Sequence, residues 1–286
     1  MAAPGVRQAT SPWAAHRQRA ETLRERHPFA GEVLTLYLAL LGVWTRAFQA
    51  AREEAPAAGA LAGWAAERVL PRVVEATAEA GPGPLAEAAG AFPEEGEAAR
   101  PLAAWLAGEE LDPVERYLAR ACLRAPLEAL GGAEAFAHDP APRGGRRCPS
   151  CGGPPQLSFR SDAQDQLVSG RRQLTCSRCA TSWNWSSSAC ASCGESGGAR
   201  RTFYAERREG TVIGRARASS EAQAGAPMFP HLRIEACDTC KRYLIDVDIG
   251  NDARAVPEVD ELAALPLDLY AAEHGLSKIT PNLMGF

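Results

Sequence analysis

The sequence predicts an α+β, multidomain chain. An all-α N-terminal domain spans residues 1–137, a linker 138–147, two cysteine-built ribbons 148–188 and 189–250, and a C-terminal helix with its tail 251–286. Three observations predict it. The N-terminal part is rich in Ala, Leu, Glu and Arg, with apolar residues recurring at three- and four-residue steps. Eight of the nine cysteines fall after residue 147, all of them in C-x-x-C pairs. Short β-like runs border those pairs, and helical spacing returns only over Val256 to Glu273.

In the N-terminal part, Val33, Leu36, Tyr37, Leu40, Trp44 and Phe48 share one face of a helix. The apolar run Val33 to Trp44 has 12 residues. A membrane span takes about 20, so a buried helix is expected. Leu61, Trp64, Val69 and Val73 predict a second helix, and Leu102 to Leu106 lie in a third. The Gly-Pro-Gly-Pro run at 81–84 marks a loop. Asp112-Pro113-Val114-Glu115 reads as a helix start, with a capping carboxylate, a proline in the first turn and a capping-box glutamate. That helix buries Val114, Tyr117, Leu118 and Ala121, and Pro126 is expected to kink or end it. The polar first 29 residues lack the apolar centre of a secretion signal, so a cytoplasmic location is expected.

Beyond the linker, strands are predicted at Gln156 to Phe159, Arg172 to Thr175, Trp183 to Trp185, Thr202 to Glu206, Arg233 to Glu235 and Tyr243 to Asp248. Charge divides unevenly around a formal net of −4. Residues 143–217 carry 13 basic and 5 acidic side chains, while 218–286 carry 5 and 11. Four thiolates around a divalent ion leave two negative charges per site, so the apparent basicity of the ribbons overstates their field.

The pairs are Cys148/Cys151, Cys176/Cys179, Cys190/Cys193 and Cys237/Cys240. A C-x-x-C turn aims both sulfurs at one ion while backbone N–H groups offset their charge. Glycine follows the second cysteine in two pairs, at Gly152 and Gly194, where such a turn favours positive φ. Without an export signal, paired spacing of this kind points to metal rather than to disulfides. Sequential pairing puts Cys148, Cys151, Cys176 and Cys179 on a first ion and Cys190, Cys193, Cys237 and Cys240 on a second, each set framing a hairpin in a zinc-ribbon or rubredoxin-like layout. An interleaved arrangement, first pair with third and second with fourth, uses the same eight ligands. A closed set of four sulfurs suits zinc or iron and leaves no open position for a substrate, which favours structural ions.

Cys122 lies on the apolar side of its helix and reads as a small core residue. The five histidines are scattered, and His231 reads as a surface residue. Trp183 and Trp185 alternate on one strand face, for core packing beside the metal or for a partner. The arginines at 143, 146, 147, 171, 172, 200, 201, 207 and 208 read as solvated or as phosphate contacts. No catalytic residues are predicted: the chain has no phosphate loop, no nucleophile elbow and no dinucleotide fingerprint.

The knuckles Cys148-Pro-Ser-Cys-Gly-Gly-Pro-Pro155, Leu174-Thr-Cys-Ser-Arg-Cys179 with Trp183, Cys190-Ala-Ser-Cys193 and Glu235-Ala-Cys-Asp-Thr-Cys-Lys-Arg-Tyr-Leu244 resemble those of the formate dehydrogenase accessory protein FdhE family. The tail from Asp260 to Gly275, followed by Pro281-Asn-Leu-Met-Gly285, resembles that family's C-terminal signature. The resemblance implies a helical domain followed by two rubredoxin-like ribbons, with the eight cysteines as iron or zinc ligands. It implies a cytoplasmic, non-catalytic, chaperone-like protein that binds the catalytic subunit of formate dehydrogenase during maturation. Two other classes fit the cysteines: a zinc-ribbon nucleic-acid-binding regulator, against which the net charge stands, and a rubredoxin-like redox protein, which needs iron.

Overall fold

The computed structural model describes residues 12–92, 97–131, 145–160, 171–197, 200–206, 213–215 and 227–285. The expected linker therefore lies largely outside the described residues. Among the described residues seven α-helices come first: α1 (Ala14–Arg26), α2 (Gly31–Glu54), α3 (Leu61–Arg68), α4 (Leu70–Ala80), α5 (Gly83–Gly90), α6 (Ala99–Ala107) and α7 (Pro113–Ala129). Strands β1 (Pro155–Arg160), β2 (Arg172–Cys176), β3 (Ser182–Asn184), β4 (Arg201–Glu206), β5 (Ile213–Arg215), β6 (Leu232–Cys237) and β7 (Arg242–Asp248) follow. Helices α8 (Pro257–Ala263) and α9 (Leu265–Glu273) and the short β8 (Ser277–Lys278) complete the chain.

Helix α2 is the axis of the helical part. By length and composition it could cross a membrane. Here it packs against α1, α4, α7 and α8 and buries eleven side chains, among them Leu34, Leu36, Leu40 and Trp44. Trp44 also donates its indole N–H to the Ala121 carbonyl of α7 at 2.7 Å, so burial leaves that polar group satisfied.

Asp112 caps α7 as its sequence requires, with Oδ1 accepting from the N–H groups of Val114 and Glu115 at 3.0 Å each. The expected loop at 81–84 is confined to its first two residues, because Gly83 and Pro84 open α5. Three further helix boundaries differ from the sequence expectation, each through proline. Pro126 does not end α7 where it stands. It sits in the last turn, where a missing N–H costs one hydrogen bond, and the helix runs on to Ala129. Pro71 divides the expected second helix into α3 and α4 at Val69. Pro266 divides the tail helix into α8 and α9 at Ala264. As a result Leu262 is buried while Leu269 is 56% exposed.

The strands form one sheet in the order β3-β2-β1-β7-β6-β4-β5, with β8 beside β7. Within each ribbon the pairing is antiparallel. The seam between ribbons is parallel, β1 against β7, from Ser158 opposite Asp246 to Arg160 opposite Asp248. Asp246, fully buried, fastens the seam. It accepts from Ser158 Oγ at 2.7 Å, Arg160 Nε at 3.1 Å and Arg233 Nε at 2.8 Å. Helix α8 packs against α1 and α2 on one side and β1 and β7 on the other. One continuous apolar core therefore runs from the helices through α8 to the sheet.

Candidate metal centres

All four knuckles share one backbone construction. In the first, Gly152 N–H donates to the Cys148 carbonyl at 2.9 Å, and Cys148 N–H donates to the Gly153 carbonyl at 3.0 Å. Ala180 closes on Cys176, Gly194 on Cys190 and Lys241 on Cys237 by the matching bond. The closing residue has positive φ each time: 70° at Gly152, 57° at Ala180, 82° at Gly194 and 55° at Lys241. Two of these positions are glycines, as the local pattern predicts. Ala180 and Lys241 adopt the same strained conformation without glycine, which sequence inspection could not reveal. Backbone N–H groups then point at sulfur: Gly153 to Cys151 and Arg178 to Cys176, both at 3.4 Å, and Ser192 to Cys190 at 3.3 Å.

The knuckles come together sequentially, not interleaved. Cys148, Cys151, Cys176 and Cys179 form one group and Cys190, Cys193, Cys237 and Cys240 the other, with all sulfurs in a group within 4.8 Å of one another. In the first group Sγ separations are 3.6 Å for Cys148–Cys179 and 3.4 Å for Cys151–Cys176. In the second they are 3.9 Å for Cys190–Cys240 and 3.8 Å for Cys193–Cys237. A tetrahedron of sulfurs at about 2.3 Å from a zinc ion has edges of about 3.8 Å. Both groups fit one tetrahedral ion, and each can hold a metal.

Electrostatics in the first group ask for a cation. Hydrogen bonds from the thiols of Cys151, Cys176 and Cys179 hold Cys148 below the usual thiol range. Donating to Cys148 raises Cys151, and burial pushes Cys176 well up. The hydrogen bond with Cys148 opposes ionisation of Cys179, but those with Cys151 and Cys176 bring it down to about 7. A divalent ion is what would let Cys151 and Cys176 ionise as well. In the second group burial pushes Cys190 up to about 12. Burial also opposes ionisation of Cys237, but the N–H groups of Cys240 and Thr239 bring it below the ordinary thiol value.

The first centre is tied to the helices by Arg178, whose guanidinium lies 5.6 Å from the Trp105 ring of α6. The approach is tight enough that a Cβ on Gly108 would come within 2.5 Å of Arg178 Nη2. The second centre has a clasp between its knuckles, with Thr239 Oγ1 donating to Glu195 Oε2 at 3.2 Å. Trp183 is buried and donates to the Gly145 carbonyl at 2.9 Å, and Trp185 donates to the Ala189 carbonyl at 3.1 Å. Cys122 is buried, and burial raises its thiol far above the ordinary range, as suits a core residue.

The expectation of a surface His231 is overturned. It is 5% exposed, with Nε2 at 2.7 Å from Asp260 Oδ1, in a cluster with Arg19. Two arginines of the basic segment also turn inward. Arg172 and Arg201 reach buried Glu235 at 2.8 and 2.6 Å. Arg146 donates to the Ser192 carbonyl at 2.7 Å. Positions 143, 207 and 208 lie outside the described residues.

Residues 216–284 match the family "FdhE, C-terminal domain". The FdhE resemblance read from the knuckles and tail holds in the curated relatives as well. "Protein FdhE homolog" of Aquifex aeolicus (strain VF5) is 31% identical over 139 residues, 49% of this chain and 41% of that one. The "Protein FdhE homolog" of Pseudomonas putida (strain KT2440) is 33% identical over 149 residues, 52% of this chain and 41% of that one. These matches span about two fifths of the relatives' length. The crystal structure of the FdhE protein from Pseudomonas aeruginosa superposes with a TM-score of 0.59 at 23% identity, covering 95% of this chain and 94% of that one. At that identity the likeness is one of fold, and it takes in the FdhE-like sheet and the helices together.

Proposed function

We propose that this protein is a non-catalytic accessory factor in the maturation of formate dehydrogenase, acting in the cytoplasm by binding that enzyme's catalytic subunit. The observation that carries the reading is a pair of complete four-cysteine centres on a chain whose residues 216–284 match the FdhE C-terminal domain family. We read all eight cysteines as ligands of two ions, zinc or iron. Each ion, when bound, supplies a closed cross-link between two knuckles and leaves no coordination position for a substrate.

The protein's own residues do the rest. The Asp246 seam makes the two ribbons one surface, and α8 fixes that surface against the helical bundle. A rigid, composite face of this kind suits recognition of a folded or partly folded subunit better than turnover of a small molecule. The inward ion pairs of Arg172 and Arg201 weaken the nucleic-acid alternative by removing charge from the surface.

The test is capture of tagged protein from formate-grown cells, with bound proteins identified by mass spectrometry, alongside formate oxidation in a deletion strain. Recovery of the catalytic subunit and loss of formate oxidation support the reading. No association together with intact oxidation refutes it.

A further inference from the structure

The two centres are chemically alike and differ in their surroundings. All four cysteines of the first, Cys148, Cys151, Cys176 and Cys179, are 0–5% exposed and belong to the continuous apolar core. Of the second, Cys193 is exposed and Cys240 half-buried, and none of its four cysteines joins that core. The first is further covered by Arg178 over Trp105, whereas the second is closed by the Thr239–Glu195 hydrogen bond, near the surface.

We infer that the second centre is an exchangeable metal site and the first a permanent one. The class of ligand is a thiophilic d-block cation, delivered or withdrawn by a donor that reaches Cys193 from solvent. In the exchange step the incoming donor forms a bond to the ion while the Cys193 sulfur leaves it. The departing thiolate takes a proton from water, and no electron moves. Cys240 follows by the same route, with the sheet intact. At the first centre the same attack needs the core to open between α6 and the second knuckle, which places it in a slower class of motion. This rests on the reading of the eight cysteines as metal ligands.

The experiment uses the full-length protein loaded with zinc, mixed with excess 4-(2-pyridylazo)resorcinol. Released zinc is followed by absorbance and the fold by circular dichroism. After the first release phase the sample is pulsed with N-ethylmaleimide and mapped by mass spectrometry. The expected result is two phases of one equivalent each, the first at least about tenfold faster and without loss of strand signal. Label should appear at Cys190, Cys193, Cys237 and Cys240 and be absent from the first group. Release of both equivalents in one phase, or early label at Cys148, Cys151, Cys176 or Cys179, overturns the inference while leaving the ligand assignment standing. A protein that binds fewer than two equivalents refutes the ligand assignment and the inference with it.

Discussion

Changing Asp260 to Asn isolates the polar cluster that ties the first helix to the last ones. Asp260 is fully buried and Arg19 is 4% exposed. The carboxylate accepts from Arg19 Nε at 3.0 Å on both oxygens, from Arg19 Nη2, and from the Val256 N–H at 2.7 Å, with His231 Nε2 also at 2.7 Å. Asn keeps the shape, removes the charge and turns an amide NH₂ toward other donors. Removing one partner of a buried pair costs about 3–5 kcal/mol, and the surviving contact of Arg19 with Asp252 at 2.8 Å offsets part of it. A loss of about 3 kcal/mol is expected, read as a lower urea midpoint by tryptophan fluorescence. If the cost is the orphaned guanidinium, adding Arg19→Met should restore at least about half of it, since an apolar replacement removes the unpaired charge. A single variant costing under about 1 kcal/mol, or a double variant no better than the single, would refute the argument.

Gly153→Ala should weaken the first centre alone. Its Cβ would lie 2.9 Å from Cys176 Sγ and 3.2 Å from Cys151 Sγ, and overpacking of that kind costs about 1–3 kcal/mol, or about 5- to 150-fold in metal affinity by competition titration. An unchanged affinity would show that the knuckle yields freely. Lys241→Gly relieves a left-handed residue at the second centre and should raise stability by up to about 1 kcal/mol, after the entropy cost of glycine in the unfolded chain. A drop in melting temperature would count against strain there. Burial holds the His16 imidazole below its ordinary value, with Glu258 opposing. The folded protein therefore favours neutral His16, a contribution complete above about pH 6.5 and lost as pH falls through the folded pKa. His16→Gln should flatten that acid slope in melting experiments, and an unaltered slope would remove His16 from the account. Stripping both ions from wild-type protein should abolish strand dichroism before helix dichroism, and simultaneous loss would mean that the helices depend on the ribbons.

The cysteine spacing made the centres legible because a C-x-x-C turn is local: its hydrogen bonds reach no further than the two residues that follow it. The α2 stripe and the Asp112 cap were legible for the same reason. The seam between β1 and β7 was not, because a parallel pair joins segments about 88 residues apart and leaves no periodic trace at either. His231 looked like a surface residue because composition reports polarity and not partners, and the burial of Asp260 and Glu235 was equally invisible. Their burial depends on arginines from remote segments, such as Arg19 for Asp260. Proline signals mark breaks whose position depends on the turn they fall in: Pro126 costs α7 one hydrogen bond in its last turn without ending it, whereas Pro71 and Pro266 stand in the first turns of α4 and α9, where no N–H is needed.

The contact between Arg19 and Asp260 also sets a timetable. The two residues are 241 positions apart, so α1 leaves the ribosome long before its buried partner is made. At synthesis rates of roughly 5–20 residues per second the wait is about 12–48 s. During it Arg19 has no carboxylate to neutralise it, and the faces of α1 and α2 that α8 will cover are wet. The first cysteine group is complete in the nascent chain at residue 179 and the second at residue 240, before α8 has been translated. The ribbons can thus be metallated while the helical half is still waiting for its final strut, and the segment from Pro257 onward decides when the molecule closes.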